Sequence, residues 1–152
     1  MVAHVMYYSV IKGQWDNTAN GVFNLGSGGS TMKLSAHTNT YSISQDADDF
    51  FNDVTNEVSG TNYTAGGATL ASQTVTRSTN TVTFDANDIV WTQSGAGFST
   101  ARKFVLYLST GTASTSRLYS VVTADSDVGN VTGDLTIQWS TAPSAIAQWT
   151  TT

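Results

Sequence analysis

Five consecutive apolar or aromatic residues, Phe104-Val105-Leu106-Tyr107-Leu108, stand in a chain of 152 residues of which about a third are Ser, Thr or Asn. A short, unbroken apolar run bounded by turn formers fits a strand covered on both faces. The segment from Arg102 to Thr110 is therefore predicted as that strand. Gly111-Thr112-Ala113-Ser114-Thr115 follows, and then a second run, Arg117-Leu118-Tyr119-Ser120-Val121-Val122. Together they predict a β-hairpin at the centre of a sheet, with the other elements packed around it.

Most of the rest also reads as strand. Met32, Leu34 and Ala36 alternate with polar neighbours, which predicts a half-buried strand over 31–36. Beyond Ala68 the pattern is extended throughout: Ala68 to Thr76, Thr81 to Phe84, Ile89 to Thr92, Val131 to Trp139, and a last edge piece from Ala145 to Trp149. Gly, Asn and Asp turns separate them. The fold predicted is mainly β, a single-domain antiparallel β-sandwich or partly closed barrel of about seven or eight strands over residues 1–152.

One or two short helices are expected in the N-terminal half. Val5, Tyr8, Ile11, Trp15 and Ala19 recur at three- and four-residue steps, with Asn20-Gly21 as a stop. Gly13 and the β-branched and aromatic content make residues 1–14 an N-terminal arm in the alternative. A second helix is predicted after Ser44 or Asp46. Asp48 and Asp49 occupy its first turn, Phe50, Phe51, Val54 and Val58 form its buried stripe, and Gly60 ends it.

Charge excludes whole classes of function. Charged residues are 11% of the chain, against ~25% in an ordinary globular domain. The net charge is −5, and the six basic residues, Lys12, Lys33, Arg77, Arg102, Lys103 and Arg117, are scattered. Neither nucleic acid nor an anionic membrane surface is an expected partner, because both need clustered cations. The absence of Cys removes disulfides, thiolate metal sites and Cys nucleophiles. Met1 to Tyr8 lacks the regions of a signal peptide and no window reaches ~20 apolar residues, so a soluble chain starting at its own Met is expected. Weak surface charge suits a protein embedded in an assembly.

Residues with catalytic or ligand-binding chemistry are few. His4 and His37 are the two histidines, no Ser sits in a nucleophile elbow, and no catalytic residue or enzymatic activity is expected. Asp46, Asp48, Asp49, Asp53 and Glu57 read as a helix start matched to its dipole. Asp125, Asp127 and Asp134 carry the oxygens of a Ca²⁺ loop without EF-hand spacing or its terminal Glu. Gly26-Ser27-Gly28-Gly29-Ser30-Thr31 has the glycines of a phosphate cradle but no Lys and no following helix. No cofactor is expected. Asn62-Tyr63-Thr64 and Asn130-Val131-Thr132 match the glycosylation sequon, as chance produces in a chain this rich in Asn and Thr. Tyr7, Tyr8, Trp15, Trp91, Trp139 and Trp149 read as core and interface packing, with stacking on sugars or bases as the alternative.

Asp53 to Leu70, D-V-T-N-E-V-S-G-T-N-Y-T-A-G-G-A-T-L, is similar to a phrase D-V-x-N-E-V-x-G-x-G-Y-x-x-G-G-x-x-L in a family of small tailed-bacteriophage virion structural proteins. The likeness continues through Thr74-Val75-Thr76, Phe84 to Trp91, the Arg102 to Leu118 hairpin and Gly133 to Trp139. Residues 5–36 fit the family's leading helix and first strand. Asn62 departs from the pattern, which has Gly there, and the 26–30 loop is a local variation.

The resemblance implies a virion component and no enzyme. It points to a capsid decoration (cement) protein on the capsid surface, made in the host cytoplasm, whose partner is the major capsid protein of the same virion. It also implies a homo-oligomer, a trimer over local threefold axes. A neck, tail or fibre-associated subunit is the first alternative, and a carbohydrate- or calcium-binding adhesion module the second. Exposed aromatics near the chain ends, Tyr7, Tyr8 and Trp149, are the expected interface residues.

Overall fold

The 104–108 run lies in the middle strand of a five-stranded antiparallel sheet. The computed structural model describes residues 3–8, 24–139 and 146–150. Ten strands lie among them: β1 (Ala3–Met6), β2 (Met32–His37), β3 (Ala68–Thr69), β4 (Thr74–Ser78), β5 (Thr81–Asp85), β6 (Ile89–Trp91), β7 (Ala101–Leu108), β8 (Leu118–Val128), β9 (Leu135–Ile137) and β10 (Ala147–Thr150). They form sheets ordered β1-β8-β7-β2-β3, β10-β5-β4 and β6-β9. Among the described residues the architecture is sandwich-like, with no closed barrel.

Why the run is unbroken is plain from the register. Leu34 opposite Leu106 and Ala36 opposite Phe104 share one face of the large sheet, while Ser35 opposite Val105 and Lys33 opposite Tyr107 share the other. On the first face the Trp91 ring of β6 stacks on Phe104 at 6.2 Å; Phe84 of β5 meets Tyr119, the residue unpaired at the β7–β8 register shift, edge-on at 6.1 Å. On the second, Phe51 stacks on Tyr107 at 4.2 Å and 12°. Both faces are covered, so successive residues of β7 are buried, each large apolar side chain contributing ~1.5–3 kcal/mol.

The second face is covered by irregular chain, where a helix was predicted. Between Ser44 and Val58 the described structure has one 3-10 turn, Phe51–Asp53. The reason is competition for backbone amides. The Asp48 carboxylate accepts from Ser44 N at 2.9 Å, and that of Asp53 accepts from Asp49 N and Phe50 N at 3.0 and 2.9 Å. Side-chain acceptors that capture amides locally offer the backbone an alternative to helix. Val58 is buried as predicted, while Phe50, Phe51 and Val54 are half-buried.

Other expectations shift too. Val5, predicted to open a helix, lies in β1 opposite Val121; that predicted helix from residue 9 to its stop at 20–21 falls outside the described residues. Ten strands replace seven or eight. The predicted 68–76 strand is split into β3 and β4, with Ser72 between them at a φ of 56°, and the predicted 131–139 strand shrinks to β9. β8 runs six residues past the predicted end at Val122, to Val128. The β7–β8 hairpin is central, as predicted.

Candidate functional site

The Asp53 to Leu70 phrase builds a strap along the outer edge of β2. Thr38 N donates to Asn56 O and Val58 N to Ala36 O, both at 2.9 Å. Ala36 N donates to the Tyr63 hydroxyl at 2.8 Å. β3 pairs with Lys33 and Leu34, and Leu70 N donates to Met32 O at 2.9 Å. The strap occupies the free backbone groups of an edge that would otherwise pair with another chain.

Within the strap Glu57 is the organising group. Its Oε1 accepts from the Tyr63 hydroxyl at 2.7 Å and from Gly66 N at 2.6 Å. Tyr107 closes the loop by donating to Gly66 O at 2.7 Å. Burial, aided by the Glu57 charge, raises the Tyr63 and Tyr107 hydroxyl pKa values, Tyr107 to about 12. Gly67 has a φ of 74°, and a Cβ there would meet Leu34 O at 1.9 Å. Asn56 and Asn62 hold φ values of 59° and 63°. Asn62 stands where the resembling pattern has Gly, and Asn is among the few residues that tolerate the left-handed region. The departure preserves the backbone.

Two further buried polar groups sit against the same sheet. Tyr7 donates to Tyr41 at 2.9 Å, and Tyr41 donates to Asp48 Oδ2 at 2.7 Å. Desolvation lifts both phenols, Tyr7 to about 12. Gln45 adds a bond to Met6 O at 2.8 Å. The chain after β1 is thus tied to the 41–48 loop. Next to it, His37 Nδ1–H donates to Thr55 O at 2.9 Å, which leaves Nε2 to accept from Ser35 Oγ at 2.8 Å. Burial lowers the His37 pKa. The pair has the spacing of a base and its nucleophile, but both residues are 0% exposed, so neither atom is open to a substrate.

The predicted interface residues separate. Tyr8 is 57% exposed, whereas Tyr7 is 0% exposed, because its hydroxyl finds a partner only inside, on Tyr41. Tyr7 is a core residue, and its assignment as an exposed contact is corrected. Trp149 lies opposite Val82 in β10; its side chain, like that of His4, lies outside the described set.

The calcium candidates are likewise not gathered. Ala101 pairs with Val128 and Lys103 with Thr123, so residues 124–127 bulge opposite Arg102. The guanidinium donates to Ala124 O at 3.0 Å, Asp125 O at 2.7 Å and Asp127 Oδ1 at 3.4 Å. The Arg102 side chain thus takes oxygens of the 124–127 segment. Asp134 instead accepts from Gln93 N at 2.8 Å. No group of three or more His, Cys, Asp or Glu side chains that could hold a metal occurs among the described residues.

The Gly-rich 26–31 loop borders an open hollow of about 220 Å³ lined by Ser27 to Thr31, Thr69, Leu70, Ser72 and Gln73. No charged group lines it. Gln73 bridges Met32 N and Ser30 O at 3.2 and 3.0 Å, fixing the loop to β2. Asn130, in one of the sequons, is 0% exposed and takes Phe98 N at 2.8 Å while donating to Thr92 O at 3.0 Å.

What remains on the surface is an edge. All five residues of β4 are exposed, and Val75 and Val82 are 47% and 37% exposed. Sequence reading missed β4 as a candidate because period and composition do not show which strand ends a sheet. Compared with family models, with curated proteins and with solved structures, the chain matches none.

Proposed function

We propose that this chain is a virion structural protein, a capsid decoration (cement) protein that binds the assembled major capsid lattice and stiffens it. One observation carries the reading: the residues of the resembling phrase, Asp53 to Leu70, build a self-bonded edge cover around Glu57 and hold no open reactive group. A phrase of that kind maintains a shape. The buried polar groups have the same character, since Tyr7, Tyr41, Asp48, Ser35 and His37 bond to one another or to nearby backbone. A rigid body with low charge suits a subunit repeated over a shell, where many weak contacts add up by mass action.

On this reading the copies dock as homo-oligomers, trimers by resemblance, and the protein is not an enzyme. The test is the stoichiometry of the protein in purified particles, relative to the major capsid protein. A copy number near that of the lattice's docking sites supports decoration. A few copies per particle would assign it to the neck, tail or a fibre, and its absence from particles would overturn the virion reading.

A further inference from the structure

Where the strap meets the end of β2, a buried titratable side chain joins the two. The Nε2 edge of His37 faces Ser35 of its own strand, and the Tyr41 and Phe51 rings stand 5.7 and 6.3 Å away. The Nδ1 edge faces Thr55 of the strap, whose carbonyl takes its proton at 2.9 Å. Thr55 and Asn56 are themselves exposed, so the strap shields His37 from water on this side. Two backbone bonds complete the attachment here, Thr38 N to Asn56 O and Val58 N to Ala36 O.

We infer that residues 55–58 form an acid-operated latch, in which proton uptake by His37 frees this stretch from β2 while the β7–β8 hairpin stays closed. The neutral ring accepts from Ser35 and donates to Thr55, whereas the protonated ring donates from both nitrogens. Ser35 Oγ would then have to turn its own proton to Val105 O at 3.3 Å, a long bond. The added charge would also sit in a site closed to water.

The charged neighbours do not reverse this. Glu57 favours the cation, but its carboxylate is engaged by Tyr63 and Gly66. Asp48 lies behind Tyr41, accepting from its hydroxyl. Lys103, the register partner of His37, donates to Asn39 O and Tyr41 O and opposes a second cation. Burial outweighs both Glu57 and the Thr55 bond and lowers the His37 pKa. A state that wets the ring is therefore favoured as pH falls from about 6.5 toward the folded value. Releasing 55–58 wets it at the cost of three bonds and leaves the β7–β8 ladder whole. The latch stands on the geometry of β2 and the strap and does not rest on the virion reading.

Amide protection factors, corrected for the pH dependence of intrinsic exchange, test the latch on the full chain. Between about pH 7 and 5, Thr38 and Val58 are expected to lose protection several-fold while the amides of β7 and β8 keep theirs. The His37 ring resonance should titrate with the same midpoint. In His37→Gln the loss at Thr38 and Val58 should vanish, and in His4→Gln, which removes the other histidine, it should persist. Glu57 is intact in both variants, so an effect of its own protonation would survive in His37→Gln. Equal loss in strap and hairpin, no loss at Thr38 and Val58, or a loss retained in His37→Gln would overturn the proposal. The first two outcomes are read in the unaltered protein, so the test stands even if His37→Gln does not fold. Particle stoichiometry plays no part in it, and the two proposals fail separately.

Discussion

Asn130 shows how much one polar side chain can hold. It is wholly buried, and its amide joins Phe98 N to Thr92 O across the 92–98 link. Asn130→Ala would leave the buried Phe98 N unmet, while Thr92 O keeps the Asn62 amide, a loss on the order of 1–3 kcal/mol. Urea unfolding should report it as a lower midpoint with an unchanged slope. Thr79 is the opposite case. It opens the β4–β5 turn at a φ of 51°, a conformation that costs a β-branched residue roughly 1–2 kcal/mol. Thr79→Gly is expected to stabilise the protein by about 1 kcal/mol after the greater backbone freedom of Gly is counted, read from the same urea midpoint. The sequence marks Asn130 only as a sequon and Thr79 not at all, because neither burial nor φ is written in residue type.

At the scale of elements, the strap depends on Glu57. Its carboxylate accepts two bonds, from Tyr63 and Gly66, and removing it leaves both donors facing a half-buried gap. Glu57→Ala should cost about 2–3 kcal/mol. Hydrogen exchange should show faster opening at Val58 and Leu70, the amides that cap β2, before the β7–β8 hairpin opens. Loss of protection spread evenly over the sheet would argue against a separate strap. The strap was legible as a phrase rich in Gly, Asn and Tyr. Its target was not, since contact with β2 is made by chain far from it in sequence.

β1 belongs to the same scale. It pairs with β8 from Ala3 to Met6, and Tyr7 is locked to Tyr41. Removing residues 1–14 would therefore strip a sheet strand and a core phenol, and is a test of folding as much as of docking. Tyr8, exposed beside this strand, can be altered without either loss.

For the whole molecule, pH reads the buried polar groups together. Burial lowers the His37 pKa below its usual value near 6.5. The unfolded chain then takes up a proton at His37 more readily than the folded one. Stability conferred by neutral His37 is present above that value and is lost as pH falls from about 6.5 toward the folded pKa. A protonated ring also could not accept from Ser35. The melting temperature should drop between pH 7 and 5, and His37→Gln should flatten that drop. At alkaline pH the sign reverses. Tyr7, Tyr107 and Tyr119 are pushed up by burial to about 12, and Tyr41 and Tyr63 are raised as well. These phenols favour the folded state until pH rises past their unfolded value near 10. Ultraviolet titration should show five of the six tyrosines ionising together with unfolding; early ionisation of these five in folded protein would contradict the buried networks.

The sequence by itself determined the central strands. Alternation at Met32-Leu34-Ala36 and the unbroken run at 104–108 state which residues must leave water, and a β-sheet protein with a buried central hairpin follows. Tertiary structure decided where the backbone and polar groups go. Asp48 and Asp53 turned a helical stripe into irregular chain by taking its amides, Arg102 filled the oxygens of a calcium-like loop, and Tyr41 drew Tyr7 inward. Each outcome depends on a partner many residues away, or on side chain competing with backbone, and periodicity contains neither. The same reason explains the edges. Local pattern makes β2 and β4 both strands, but only the assembled sheets cover the outer side of one and leave the other open.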